Sequence, residues 1–396
     1  MPRCAIFTEV GYYNYGNRLL CYATCKIFAS LGVDAEIIRV KNDDENLPFL
    51  IRLKRKIKNA FKLRFNHMLI KTFNLFVKGI KKRVIRTQYQ RFVDFSMAHI
   101  VEKDYGLSKY YFPPSFSSHF DFFVVGSDQV WNPLFGNTNV PGTVFFLPFV
   151  RNEKRAFMFS TSFGVSKDDF FAQAIKIPGL ADAYRNALSR MSHISCREDA
   201  GVEITNSLVG KGQILVDPTM ILTQEEWLSM AKEPTFLPSR VKGRNGYAVL
   251  LFWGVLPRFL KKRIKKFCED RNLEPISLNN LFDESAYVID PAEFVYLLAN
   301  ADAIYTDSFH GTVFSILFEV PFFTFDPFGY GFNVNSRLDT LLRIFNFKER
   351  FIKNAKEFCP EGKDFRMDFS EVREILSRER EKAIHFLKTA ISEKMT

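Results

Sequence analysis

AIYTDSFHGTVFSILFEVPFFTF, residues 303 to 325, decides the fold. Ala303 to Tyr305 is a short apolar run that breaks into the polar Thr306-Asp307-Ser308. A helical stretch follows from about Gly311 to Glu319, and Pro321 to Phe325 is apolar again. Short apolar runs of this length separated by one helix read as consecutive strands of a parallel α/β sheet. Working outward, the alternation continues with Tyr247 to Phe252, a helix near Arg258 to Asp270, Glu274 to Ser277 and a helix from Pro291 to Asn300. The first half repeats it. Cys4 to Thr8, Ala35 to Val40, Phe122 to Val125, Ala156 to Ser160, His193 to Cys196 and Ile214 to Val216 are the expected strands, with helices at Arg18 to Leu31 and Leu180 to Arg190. Between the halves, Glu233 to Gly246 carries two prolines and two glycines with little periodicity. The expected organisation is therefore an α/β chain of two doubly wound domains, 1–232 and 247–396, joined by residues 233–246, with a long charged helix from Ser370 to about Ile391.

Composition narrows the class. A chain of 396 residues that is 47% hydrophobic and 25% charged is long enough for two cores and folds as a globule. Met1 to Val10 carries Arg3 and Glu9 and has no apolar run of signal-peptide length, and no stretch approaches a membrane span. The six cysteines are scattered without a CxxC pair, so no metal site is expected and a reducing cytoplasm suits them. The net charge of +11 is local. Fourteen Lys and Arg, with no acid, fall between Ile51 and Arg91, which leaves −3 for the rest of the chain. This stretch belongs to a basic helical insertion spanning about 48–100. Ile57, Phe61, Phe65, Leu69, Phe73 and Phe76 recur there beside the basic residues, as in a helix lying on an anionic membrane surface or packed on the domain with solvated charges.

In doubly wound sheets, ligands bind beyond the carboxyl ends of the strands, and the polar clusters fall there. In Thr306 to Thr312, Ser308 is the expected N-cap, Gly311 lets a ligand approach the backbone, and His310 sits where free N–H groups attract anions. The alternative is a capped helix with a packed histidine. Gly126 to Pro133 supplies Asp128 as a candidate proton acceptor and Trp131 as a face for a sugar ring, or else is a turn with Trp131 in the core. Cys196 to Asp199 supplies Arg197 for bidentate contact to carboxylate or phosphate, against a simple salt bridge; Glu198 and Asp199 equally suit a first helical turn. Arg337, in Asn335 to Asp339, is compatible with either an anion site or a solvated surface. Gly11 to Asn17 is a loop leading into a helix, without the dinucleotide glycine pattern or a Walker lysine.

Taken together, these strings resemble the polysaccharide pyruvyl transferase family. The resemblance is carried by YNYGN (13–17), VVGSDQVWNP (124–133), SFG (162–164), SCREDAGVEI (195–204), VDPT (216–219), TDSFHGT (306–312) and NSR (335–337), in family order. It implies a fold similar to GT-B glycosyltransferases, two Rossmann-like domains facing a central cleft. It also implies phosphoenolpyruvate as donor and a pyruvate ketal on two sugar hydroxyls as product, with no metal or other cofactor. The family's donor-site arginines and histidine fall on Arg197, Arg337 and His310, with Ser308 and Gly311 beside them. Acceptor contacts are expected from Asn14, Asn17, Trp131 and Ser162. The basic insertion is not part of the shared pattern.

The expected chemistry follows from the donor's two anionic groups. Arg197, Arg337 and the N–H groups near His310 bind it, His310 protonates the methylene carbon, and Asp128, Glu198 or Asp307 accept hydroxyl protons. The expected acceptor is a sugar, on a lipid-linked glycan at the inner face of the cytoplasmic membrane. Competing readings are a nucleotide-sugar glycosyltransferase of the same architecture and an inactive member acting as a binding protein. A nucleic-acid binder would use only the basic stretch and leave the motifs without a role, so no nucleic-acid partner is expected.

Overall fold

A computed structural model describes residues 1–41, 81–135, 137–150, 155–253, 256–326, 336–361 and 366–395. Two parallel sheets are present among the described residues. The first has seven strands, β1 (Arg3–Phe7), β2 (Asp34–Lys41), β3 (Glu102–Ser108), β4 (Phe122–Val125), β5 (Ala156–Thr161), β6 (Ile194–Cys196) and β7 (Gln213–Ile214), in the order β3-β2-β1-β4-β5-β6-β7. The second has β8 (Gly246–Leu251), β9 (Leu273–Ser277), β10 (Ala303–Thr306), β11 (Phe322–Phe325) and β12 (Phe351–Ile352), in the order β12-β11-β10-β8-β9. Both are doubly wound. The strand order reverses between β1 and β4 in one sheet and between β8 and β10 in the other, and these switch points are where such folds open a crevice for ligands.

Central strands β1, β4, β5 and β10 are buried along almost their whole length, as their unbroken apolar runs require. The edge strand β3 has no apolar run; five of its seven residues, Glu102 to Gly106, are charged, aromatic or glycine, and only Leu107 is buried. That is why periodicity does not reveal it.

The two halves share one apolar core. Tyr15 stacks on Phe294 at 4.4 Å between ring centroids, joining the Tyr15–Ser30 helix to the Pro291–Ala299 helix. Trp227, from the segment leaving the first sheet, lies between Tyr22 at 5.5 Å and Phe314 at 5.0 Å. Polar contacts add to the seam. The Lys82–His99 helix sends Arg91 to Glu293 (2.8 Å) and Asp290 (3.1 Å), and Gln88 donates to the Tyr287 carbonyl. The last helix, Val372–Met395, was expected to belong to the second domain; instead it returns to the first sheet, where Phe386 packs on Phe157 and Phe159 and Arg380 donates to the carbonyls of Met220 and Leu222.

No described helix is long and apolar enough to cross a membrane. The expected amphipathic residues from Ile57 to Phe76 lie outside the described residues. Of the basic stretch that is described, Lys81 and Arg91 are already paired with acids of the second half.

Candidate active site

The carboxyl ends of the two sheets face each other, and the motif residues meet between them. Arg197 leaves the end of β6 fully buried. Its Nη1 donates to Asp217 Oδ2 at 2.5 Å and its Nη2 to Asp128 Oδ1 at 2.8 Å. Asp217 is itself fixed by the backbone N–H and hydroxyl of Thr219. Asp128 accepts from the Gln129 N–H and, at 3.4 Å, from Asn17 Nδ2. Burial alone would raise the Asp128 carboxyl, but the charges of Arg197 and Arg337 and the hydrogen bond from Arg197 hold it well below the usual carboxylate range.

His310 enters from the second domain. Ser308 caps the Phe309–Leu317 helix by accepting from the Gly311 N–H, which sets His310 in the first turn with its Nε2 3.8 Å from Asp217 Oδ2. The other face of the imidazole rests on Gly16 of the first domain, so tightly that a Cβ there would lie 2.1 Å from Nδ1. Burial pushes the imidazole below its ordinary value; Asp217 and Asp128 oppose that shift, and Arg197 and Arg337 add to it.

Phe309 is the spacer that brings the two arginines together. Arg197 lies over its ring at 4.5 Å and Arg337 at 5.5 Å. Arg337 begins the Ser336–Ile344 helix and is lowered to about 10 by burial and by the neighbouring Arg197 charge. With the Gln129 amide oriented to satisfy its neighbours, its oxygen accepts from Arg337 Nη1 and Nη2 at 3.0 and 3.2 Å. Among the described residues no carboxylate pairs with Arg337. Three buried nitrogens, His310 Nε2, Arg197 Nε and Arg337 Nε, have no hydrogen-bond partner there. Orphaned buried donors on cationic groups are rare in proteins, and three together mark a place shaped for an anion.

Several expected roles change. Trp131 is no sugar platform: it is 0% exposed, with its indole N–H donating to the Phe145 carbonyl. Ser162 is also fully buried and donates to Glu198, so it is scaffold and not an acceptor contact. Glu198 takes three donors on one oxygen, Ser162 Oγ and the N–H groups of Phe163 and Gly164, and shapes the loop after β5. Gly311 admits its own neighbours and not a ligand, since a Cβ would sit 2.5 Å from Thr306 Oγ1. Asn14 caps the first helix by accepting from the Asn17 N–H. Asn17 bridges, donating to the Glu9 carbonyl and to Asp128. Asp307 accepts the Trp253 N–H at 2.8 Å beside the β8–β10 switch point.

Asp217, Phe309, Gln129 and Gly16 were not expected as site residues, although all lie inside the quoted motifs. Trp253 was missed as well. It is 44% exposed just beyond the end of β8, an aromatic side chain accessible where Trp131 is closed.

The model of the polysaccharide pyruvyl transferase family matches residues 14–327. The chain belongs to that family. No curated protein matches it in sequence. Among solved structures, it is similar to HepE of Anabaena in complex with UDP and glucose, at 9% identity, 99% and 100% coverage of the two chains and a TM-score of 0.45. It is also similar to the glycosyltransferase VinC in complex with dTDP (12% identity, 99% of each chain, TM-score 0.45) and to UDP-GlcNAc 2-epimerase from Neisseria meningitidis (9% identity, 97% and 94%, TM-score 0.43). The family match runs from the start of the first helix to just past β11, leaving out β1 and β12, and every described motif residue of the site except Arg337 falls within it.

Proposed function

We propose that this transferase moves pyruvate from phosphoenolpyruvate to two hydroxyls of one sugar, forming a ketal and releasing phosphate during synthesis of a cell-surface polysaccharide. The observation that carries the reading is the convergence of His310, Arg197 and Arg337 around Phe309, with an unpartnered buried nitrogen on each. Phosphoenolpyruvate offers a phosphate and a carboxylate, and two guanidiniums with an imidazole match that pair of anions. Arg197, held by Asp128 and Asp217, keeps its orientation before the donor arrives. Arg337, with no carboxylate partner among the described residues, has its charge left for the ligand.

Donor binding brings negative charge beside an imidazole that burial has kept neutral, raising its proton affinity. His310 then carries the proton that goes to the methylene carbon. The neighbouring carbon gains cationic character, a sugar hydroxyl attacks it, and a second hydroxyl displaces phosphate. No metal or further cofactor takes part in this scheme. The proposed acceptor is a sugar of a lipid-linked glycan, reached at the inner face of the cytoplasmic membrane.

Incubation with phosphoenolpyruvate and a panel of lipid-linked glycans tests this, read by phosphate release and by a pyruvyl mass increment on the glycan. His310→Ala should lower turnover by roughly 10²–10⁴-fold while circular dichroism stays unchanged. Consumption of a nucleotide-sugar in place of phosphoenolpyruvate would establish the glycosyltransferase reading, and binding of glycan without turnover of either donor the inactive one.

A further inference from the structure

Forming the ketal requires a proton to leave each of two hydroxyls, and the carboxylates flanking Arg197 are poorly suited to the first. Asp128 is pinned to Arg197 and held in its ionised form, which makes it a weak base. Glu198 is fully buried, with one oxygen taken up by Ser162 and the N–H groups of the loop after β5. Among the described residues, Asp307 gives one oxygen to the Trp253 N–H at the other switch point, and Glu9, upstream of the family match, is a further carboxyl close to Asp128.

We propose that Glu9 accepts the proton of the sugar hydroxyl that attacks the pyruvyl carbon, an assignment that rests on the pyruvyl-transfer reading above. Glu9 follows β1 directly, and Asp128 sits in the loop after β4, the strand across the switch point. The Glu9 carbonyl accepts from Asn17 Nδ2 at 2.7 Å, and the same nitrogen lies 3.4 Å from Asp128 Oδ2. Gly16, next to Asn17, is the residue on which His310 rests. Starting from its carbonyl, Glu9 is thus linked to the acid through Asn17 and Gly16 and to Arg197 through Asn17 and Asp128. Asn137 donates its side-chain N–H to Glu9 Oε1 and orients the carboxyl, which is only partly buried.

The charged and titratable groups around Glu9 are Asp128 from the loop after β4 and, from the first helix, Cys21, whose sulfur contacts the Glu9 carbonyl, and Arg18. Arg18 is committed to Glu102 and Asn17. Burial first and the Asp128 charge second raise the Glu9 carboxyl to about 7, against the hydrogen bond from Asn137. A carboxylate of that basicity is matched to proton transfer near neutral pH, which an ordinary one is not.

The protons balance. As the first hydroxyl oxygen bonds to the pyruvyl carbon, its proton goes to Glu9 and the double-bond electrons take a proton from His310, making the methyl group. The second hydroxyl then bonds to the same carbon, the carbon–oxygen bond to phosphate breaks with its electrons leaving on phosphate, and the second proton restores His310. The proton on Glu9 leaves with the phosphate, so no oxidant or other co-reactant is needed.

The full chain, Glu9→Gln and Glu9→Asp are compared with phosphoenolpyruvate and the glycan that accepts pyruvate, across pH 5.5 to 9. Glu9→Gln should lower kcat by roughly 10²–10⁴-fold, leave the Kd for phosphoenolpyruvate within about threefold and abolish the rise of activity near pH 7; Glu9→Asp should restore part of kcat. Carboxyl-labelled glutamate in NMR should show one group titrating near 7, absent from Glu9→Gln and moved down by Asp128→Asn. Glu9→Gln turnover within threefold of wild type with the rise intact, or a Glu9 carboxyl titrating in the ordinary range, overturns the assignment and leaves pyruvyl transfer standing. A wild-type protein that consumes no phosphoenolpyruvate with any glycan overturns both.

Discussion

Gly16→Ala tests the seam between the domains at its tightest point. A Cβ at residue 16 would lie 2.1 Å from His310 Nδ1, 2.2 Å from Cγ and 2.7 Å from Cβ. Restoring ordinary contact at about 3.5 Å requires a retreat of more than about 1 Å. The clash includes the His310 Cβ, so turning the ring does not relieve it; the Phe309–Leu317 helix or the second domain has to move. Displacement of a reacting group by about 1 Å costs on the order of 10²-fold in rate. For stability the terms oppose. Overpacking costs about 1–3 kcal/mol, whereas alanine in place of glycine in a helix returns up to about 1 kcal/mol. The expected result is a kcat lower by about 10²-fold with a loss of about 0–3 kcal/mol in urea unfolding. Gly11→Ala is the control, because its Cβ would meet only Asn17 Oδ1 at 3.8 Å. Gly16→Ala turnover within threefold of wild type would show that His310 is not held against Gly16 in the working enzyme.

The two arginines should separate stability from binding. Arg197→Met leaves Asp128 and Asp217 buried without their partner and should cost about 3–5 kcal/mol in urea unfolding. Arg337→Gln breaks no carboxylate pair among the described residues, so unfolding should shift by under about 1 kcal/mol while calorimetry shows phosphoenolpyruvate binding weakened by at least tenfold. Trp253→Ala should raise the KM for the glycan several-fold without altering that for the donor, measured by initial rates; a selective effect on the donor would remove Trp253 from the acceptor side. Glu9 also leaves a mark on stability. The folded protein holds the Glu9 proton up to about 7, whereas the unfolded chain releases it near 4.5. Its contribution to stability is therefore present below about 4.5 and lost as pH rises to about 7. Glu9→Gln should accordingly melt above wild type at pH 8 and level with it at pH 4, by calorimetry.

Much of this architecture is legible because central parallel strands must be apolar on both faces. Runs such as Phe122 to Val125 and Ala303 to Tyr305 announce themselves, and the polar residues that follow mark their carboxyl ends. The charged edge strand β3 carries no such signature, and neither does the return of the last helix to the first sheet, which depends on long-range packing of Phe386. At the site, residue type gives the chemistry of a cluster but not the direction of a side chain. Trp131 and Trp253 both follow a strand by a few residues, yet one fills the core beneath its loop and the other is exposed. Spacing contains nothing that separates them.

The same limit explains why Asp217 and Glu9 went unassigned. Asp217 sits in a plain Asp-Pro turn, and its importance appears only when Arg197 and His310, 20 and 93 positions away, are seen to share its Oδ2. Glu9 has no motif around it at all. What gives it a role is the sheet order, which sets β1 beside β4 and so places an unremarkable carboxyl near one that the arginines hold well below the usual range. Two acids of similar intrinsic strength are driven apart, Asp128 down by the arginines and Glu9 up by burial first and by Asp128 second, and that split is the physical basis for giving one the task of holding the arginine and the other the task of moving a proton.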